Sequence, residues 1–345
     1  MTILGLFVIL LVVLAAPLLS KRVEENLEPF LLVMGTAAAS VSQVWSARLV
    51  EESLMEPVKI TLAVLAAGIL FRAVRSHLGK AIQMIIRKMG LRFFVFSLIF
   101  VLGFLSSVIT AIIAAILLVE IITNLKLDAA SETNLVIIAC YSIGLGAALT
   151  PIGEPLSTIV IGKLKDAPHH AGFFFLLRLL GAWVGAGILI LSLIAVYFHG
   201  HRIHGREKTL TEDRPENLMD VLNRTGKVYL FVMALVLLGT GFTPIIDAYF
   251  VHIPGTAIYW INTVSAIGDN ATLTAAEISP EMSPSYIRFL LMGLLISGGM
   301  LIPGNIPNII AAGKLKISSR AWARFGVPLG AVLMLVYFLA LILLL

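Results

Sequence analysis

Two carboxylates stand where an apolar chain has no ordinary use for them. Glu154 lies in TPIGEPLSTIVIGKL (150–164), between Gly153 and Pro155, and Asp269 lies in SAIGDNATL (265–273). Groups that offer oxygen accompany both: Ser107, Thr110, Thr150 and Ser157 for the first, and Asn270, Thr272, Asn305 and Asn308 for the second. Carboxylate, amide, hydroxyl and carbonyl oxygens suit a hard monovalent cation such as Na⁺. A carboxylate in a low-dielectric setting also holds a proton more firmly than one in water. A site that takes Na⁺ or H⁺, but not both, is the minimum machinery for exchanging one for the other. The alternative is a carboxylate that only caps a helix end or pairs with a lysine in a static core. An ionisable group inside a membrane is costly enough to favour the functional reading.

Composition makes the membrane setting the first expectation. Of 345 residues, 59% are hydrophobic and only 13% charged, with a mean hydropathy of +0.99. Repeated apolar runs of about 20 residues are the mark of bilayer-spanning helices. The single cysteine, Cys140, excludes an internal disulfide framework and reads as a small buried hydrophobe. The net charge of +5 fits basic cytoplasmic loops better than nucleic-acid binding. The first run, Ile3–Leu19, is followed rather than preceded by its positive charges, Lys21 and Arg22. It therefore reads as a retained helix with its N-terminus outside.

Gly, Pro and charge punctuate the remainder. Pro29–Ala47 and Val58–Ala73 read as crossings, and the basic amphipathic stretch His77–Met89 as an interfacial helix. Arg92–Asn124, interrupted by SSVIT at 106–110, reads either as one long helix or as a re-entrant hairpin. Asn134–Lys163 is a long run broken at TPIGEP, and Gly172–Phe198 is a further crossing. The polar segment 199–227 carries His199, His201 and His204 and reads as a solvated loop rather than a metal centre. Beyond it, Val228–Ile246 crosses, Ile258–Ile278 is interrupted by SAIGDN, Ile287–Lys314 is broken at PGNIP, and Trp322–Leu345 crosses last.

The second half repeats the first. A constant displacement of 151 places Gly153 on Gly304, Glu154 on Asn305, Ser157 on Asn308 and Gly162–Leu164 on Gly313–Leu315. SSVIT and SAIGD correspond loosely at about 158. Each repeat holds an odd number of crossings, so the two must be inverted relative to each other. The expected fold is an all-α polytopic membrane protein with about eight crossings and two inverted-topology repeats. Each repeat has a re-entrant helical hairpin and a broken transmembrane helix. Residues 1–57 form N-terminal helices. Repeat 1 spans 58–198, with its hairpin at about 92–124 and broken helix at about 134–165. A cytoplasmic linker spans 199–224, and repeat 2 spans 225–345, with hairpin about 255–279 and broken helix about 285–316. This topology puts both termini outside and 19 of the 25 lysines and arginines on the cytoplasmic side, as the positive-inside rule requires.

A broken helix in lipid is tolerated where it lines a protein-enclosed cavity. Carbonyls ending one half then offer a cation site, and the N-terminus of the next half carries positive potential. Pro155 suits the first helical position, which makes Glu154 a candidate N-cap, with Asn305 in the same place in the second repeat. Glu120 and Glu277, at matching places late in the two hairpin regions, read instead as interfacial or helix-end acids, and Asp247 likewise.

SAIGDNATLTAAEI (265–278), ALTPIGEPLSTIVIGKL (148–164) and GGMLIPGNIPNIIAAGKL (298–315) resemble segments of the ion transporter superfamily. That group holds sodium/proton antiporters, arsenite-efflux membrane subunits and sodium-coupled dicarboxylate carriers. The likeness covers about residues 58–345 and is greatest to a branch described as predicted cation transporters. It implies two inverted hairpin-bearing repeats, commonly assembled as a homodimer in the cell membrane. SSVIT with TPIGEP would form one ion site and GDNAT with PGNIP the other, with Glu154 and Asp269 as Na⁺ ligands and no bound cofactor. Neither hairpin carries the Ser-Asn-Thr tip that holds substrate carboxylates in the dicarboxylate carriers, and no arginine stands at a tip. A cation is therefore the favoured substrate. Thr110 and Ala111 occupy the first tip where an acid would fit, which leaves the number of ion sites open.

The leading expectation is Na⁺/H⁺ antiport by alternating access, with a Na⁺-coupled carrier of a small anion as the alternative. A channel is a weaker option, because broken helices in inverted repeats favour a carrier. An intramembrane aspartyl hydrolase is weaker still. AIGD lacks the first glycine of the Gly-x-Gly-Asp signature, where Ala266 stands instead, and no Tyr-Asp partner is present.

Overall fold

In a bilayer both core and lipid-facing helices are apolar all round, so packing rather than composition separates them. The computed structural model describes residues 2–20, 22–23, 26–55, 57–58, 61–62, 65–66, 69, 88, 90–125, 127–199, 218–249, 253–263 and 270–344. Among them are α1 (Thr2–Leu19), α2 (Leu27–Val41), α3 (Leu91–Ile109), α4 (Ala111–Leu125), α5 (Ala129–Ala147), α6 (Pro155–Lys163) and α7 (Phe175–His199). They continue with α8 (Leu218–Tyr249), α9 (Gly255–Ile261), α10 (Asn270–Glu277), α11 (Pro284–Ser297), α12 (Ile306–Leu315) and α13 (Ser319–Leu344). No strand occurs among the described residues. Most of Val58–Ala73, nearly all of the expected interfacial helix 77–89, and the histidine-bearing segment 200–217 lie outside them, as does Asp269.

Among the described residues, five helices are long and apolar enough to cross a bilayer: α3, α5, α7, α13 and the apolar part of α8, Thr225–Ile245. Four shorter apolar helices accompany them, α4 and α11 and the apolar parts of α1 and α2. α5 is the central element, buried along nearly its whole length, while α13 presents Val332, Leu335, Val336, Leu339 and Ile342 outward. α1, α2 and α8 pack together to one side, with Gly35 and Gly241 letting the α2 and α8 backbones approach.

Two boundaries depart from the apolar runs. α5 begins at Ala129 rather than near residue 134, because its polar first turn is capped: the Asp128 carboxylate accepts from the Ser131 backbone N–H at 3.0 Å. That bond holds the Asp128 carboxyl below the usual carboxylate range. α8 likewise starts at Leu218, ahead of its apolar run.

The stretch 91–125 is two helices and not one. Thr110 divides it, with φ 77 and ψ 149. α3 and α5 run side by side in the same direction, since Ser142 Oγ donates to Ile99 O, Ser106 Oγ to Ile143 O and Thr150 Oγ1 to Ser107 O. α4 joins the end of α3 to the start of α5, so it must return against both and form a hairpin. α9 and α11 repeat this arrangement: Gly293 packs on the Tyr259 backbone, and Ser297 Oγ donates to Asn262 O at 2.7 Å. α10 is the returning arm.

The returning arms cross over. α4 packs along α12, with Ile112 and Ile116 against Ile306 and Ile310, and Glu120 ion-paired to Lys314. α10 packs along α6, with Lys163 Nζ donating to Ile278 O at 3.3 Å at the shared C-terminal end. Each returning arm therefore lies on the half-helix that follows the other break.

Candidate functional site

The site is built where helices stop. α5 ends at Ala147 and α6 begins at Pro155; α11 ends at Ser297 and α12 begins at Ile306, after a single 3-10 turn at Ile302–Gly304. The two restarts share one backbone geometry. Glu154 precedes α6 with φ −155 and ψ 160, and Asn305 precedes α12 with φ −156 and ψ 146. Pro155 at the first helical position has no N–H to leave unpaired, which is why the chain restarts there.

Both breaks are pinned by the same position of the following helix. Ser157 Oγ donates to Ala148 O at 3.0 Å, and Asn308 Nδ2 donates to Gly298 O at 2.8 Å and to Leu301 O at 2.9 Å. Carbonyls freed by the missing helical turn thus find donors in the next half-helix, as backbone buried away from water requires. Trp322 Nε1 satisfies Gly299 O in the same way at 3.1 Å.

The first hairpin tip meets the first break. Ala111 N donates to Gly153 O at 2.9 Å, and Thr150 Oγ1 reaches Ser107 O at 2.5 Å. Ser107 Oγ bonds within its own helix to Phe104 O, and Thr110 Oγ1 accepts from Ile113 N at 3.3 Å. Gly153 sits so tightly on the Ala147 carbonyl that any Cβ there would overlap it. Ser107, Thr110, Thr150 and Ser157 therefore assemble around the residues preceding Glu154. Thr110 is β-branched and left-handed, a combination that costs about 1–3 kcal/mol. Thr110→Gly is expected to raise stability by about 1 kcal/mol after glycine's entropic cost. Thermal unfolding in detergent checks this, and a lower melting temperature would show that the tip stores no strain.

Glu154 is 7% exposed. It stands at the N-cap position as expected, but its side chain makes no cap hydrogen bond. Since α6 and α10 run in the same sense, Glu154 and Asn270 occupy the same end of that helix pair. Asn270 is 4% exposed, lies against Gly298, and neither its Nδ2 nor its Oδ1 has a hydrogen-bond partner. Asn308 Oδ1, in a fully buried residue, also has none. Asn305 places its Nδ2 against Gly144 of α5. Asp269 and the Thr272 side chain lie outside the described residues.

Asn270 meets the second break at Gly298, while its helix α10 packs along α6, the half-helix that Glu154 precedes. Among the described residues, no group of three or more His, Cys, Asp or Glu is placed to hold a metal. The oxygens at the centre come instead from single carboxylates, amides and carbonyls.

Glu277 does end a helix, α10, whereas Glu120 lies inside α4, and neither side chain is exposed. Both are buried, Glu120 against Lys314 and Glu277 against Asn262, whose Nδ2 donates to Oε2 at 3.0 Å. The late-helix positions signalled a membrane boundary, but the crossing of the returning arms covers them. The repeated GKL, Lys163 and Lys314, was the available signal for this covering. Removing one partner of the buried pair leaves a lone charge. Glu120→Gln or Lys314→Met alone is expected to cost about 3 kcal/mol, and the double substitution much less. A double-mutant cycle by denaturant or thermal unfolding reads the coupling directly. Glu132, fully buried in the first turn of α5, also escaped sequence reasoning because it lies in the run's polar approach.

The apolar spanning helices and the buried polar centre define a multi-pass, all-helical membrane protein. The chain belongs to the family described as Protein of unknown function (DUF1646), which matches residues 3–344. No curated protein matches the chain.

Proposed function

We propose that this protein is a secondary cation transporter, exchanging Na⁺ for H⁺ by alternating access, rather than an enzyme. The observation that carries the reading is Glu154. It is a buried carboxylate at the restart of an interrupted helix, sharing its end of the α6–α10 pair with the unpartnered amide of Asn270. Glu154, the Asn270 and Asn308 amide oxygens and the freed carbonyls of the breaks supply the ligand set for a monovalent cation. Asp269, next to Asn270 in sequence, would add a second carboxylate. Protonation of the carboxylate competes with the ion, because both claim the same oxygens.

The matched restarts, the parallel first arms and the crossed returning arms support two inverted repeats. On this reading there are eight crossings in the cell membrane, with both termini outside, the 199–227 loop cytoplasmic and a homodimeric assembly. Inversion would let the two halves exchange conformations, opening the centre to one side and then the other. In vesicles holding the purified protein, an imposed Na⁺ gradient is expected to drive proton movement in the opposite direction.

One observation favours the second reading, a Na⁺-coupled carrier of a small anion. α4 and α12 run side by side in the same sense, so their N-termini meet at Thr110 and Asn305, both uncharged. Two positive helix ends without a carboxylate suit an anion. Na⁺ flux that requires an added anion would select this reading over exchange.

A further inference from the structure

The buried face of α10 carries a line of polar groups that starts at Asn270 of the ion centre and continues away from it through groups the ion site does not use. Asn270, Thr274 and Glu277 follow one another at intervals of four and three residues, which places them on one side of the helix. Thr274 is fully buried and Glu277 is 8% exposed. Thr274 Oγ1 and Glu277 Oε1 have no hydrogen-bond partner. At the outer end stands Asn262, 1% exposed, whose Nδ2 donates to Glu277 Oε2 at 3.0 Å and to Leu290 O at 3.3 Å. Those two acceptors fix which way the amide faces. Asn262 Oδ1 is then left without a partner, as is Glu277 Oε1.

The two orphaned atoms belong to the same pair of groups. An ionised Glu277 has only lone pairs to offer the amide oxygen, and buried unsatisfied oxygens are expensive. A proton on Oε1 removes the conflict: Oε1–H donates to Asn262 Oδ1 while Nδ2 donates to Oε2, closing a cyclic acid–amide pair. We propose that Glu277 is a proton-carrying carboxyl of the transport cycle, neutral and paired with Asn262 in this conformation. On deprotonation the proton leaves to water, and the carboxylate needs a counter-charge. Lys163 supplies it: its Nζ donates to Ile278 O, one residue beyond Glu277. The equivalent groups, Glu120 and Lys314, already form the ion pair that Glu277 and Lys163 would then make. The line through Thr274 connects this carboxyl to Asn270 at the centre.

The other groups around Glu277 do not replace this partner. From α11, Tyr286 lies within electrostatic reach of Glu277, but its hydroxyl donates to Ile253 O at 2.8 Å. Arg288, also on α11, donates to Leu179 O. His169, in the loop after α6, bonds Pro280 O at 3.0 Å. On α8, Asp247 has a side chain outside the described residues.

The proposal rests on proton-coupled transport, yet the proton can be detected without transport. Infrared difference spectra of the purified protein in lipid, recorded across a pH titration, are expected to contain the carbonyl stretch of a neutral carboxyl. That band should vanish in Glu277→Gln and persist in Glu120→Gln, whose wild-type carboxyl is paired with Lys314. Glutamine reproduces the hydrogen bonds of the protonated acid, so E277Q is expected to fold with an unchanged melting temperature. Its Na⁺-driven proton movement is expected to fall by about tenfold or more. A spectrum unaltered by E277Q overturns the proton site even where wild-type exchange is intact, and so does E277Q exchanging at the wild-type rate. Wild-type protein that shows the Glu277 band but no exchange overturns the transport reading instead.

Discussion

Glu154→Gln is expected to abolish Na⁺-dependent proton movement while leaving the protein folded. Glutamine keeps the length and one carbonyl oxygen of the side chain but removes its charge and its proton. A charge-assisted contact is worth about 1 kcal/mol more than its neutral counterpart, so apparent Na⁺ affinity should fall by roughly fivefold. The larger effect is on coupling, since an amide cannot release a proton in exchange for the ion. Glu154 is buried, so a merely structural role would appear as a lower melting temperature. The account expects the reverse, because removing a buried charge also removes its desolvation cost. E154Q that exchanges at the wild-type rate would exclude Glu154 from the site. Glu154→Asp should retain part of the activity, with a shifted ion preference, because the carboxylate retreats by one methylene.

Gly146→Ala is the second large effect, and it acts on the frame rather than on the chemistry. Gly146 of α5 faces the carbonyl of Gly103 on α3 so closely that a methyl group would overlap that oxygen. Ser106 and Ser142 bond across the same contact, so α3 cannot move outward without breaking both hydrogen bonds. Overpacking of this kind costs about 3 kcal/mol. It should also displace the hairpin tip from the break, since Ser107 lies farther along α3 and Ala111 opens the helix that follows it. The control is Gly162→Ala, because a Cβ at Gly162 in α6 meets nothing within 4 Å. There the gain in helix propensity, about 0.8 kcal/mol, should raise stability slightly. Thermal unfolding of the two variants side by side reads the difference. Equal melting temperatures would mean that the α3–α5 contact yields easily.

The breaks were legible because their chemistry is local. Pro155 and Pro307, Gly153 and Gly304, and the position shared by Ser157 and Asn308 all act within a few residues of the helix restart. The 151-residue displacement therefore carries over into matched backbone angles and matched pinning bonds. The crossing of the returning arms was not legible. α4 reads as an apolar helix with no distinctive face and α10 as the end of an interrupted run, and a helix in lipid has no solvent side to mark its orientation. Glu120 and Glu277 consequently looked like boundary residues, although each is covered by the other half of the chain. The burial of α5 was equally hidden, since a lipid-facing helix and a core helix are both apolar all round. Thr110 gave no sign of its left-handed backbone, which the hairpin imposes and the residue type resists.

The most direct test of the central claim is cation–proton exchange by the purified protein in sealed vesicles containing a pH-sensitive dye. An inward Na⁺ gradient should drive protons out and alkalinise the lumen, and E154Q should abolish the signal. A lumen whose pH is unchanged by Na⁺ for the wild-type protein, with Na⁺ entering only when an anion is supplied, would contradict the account.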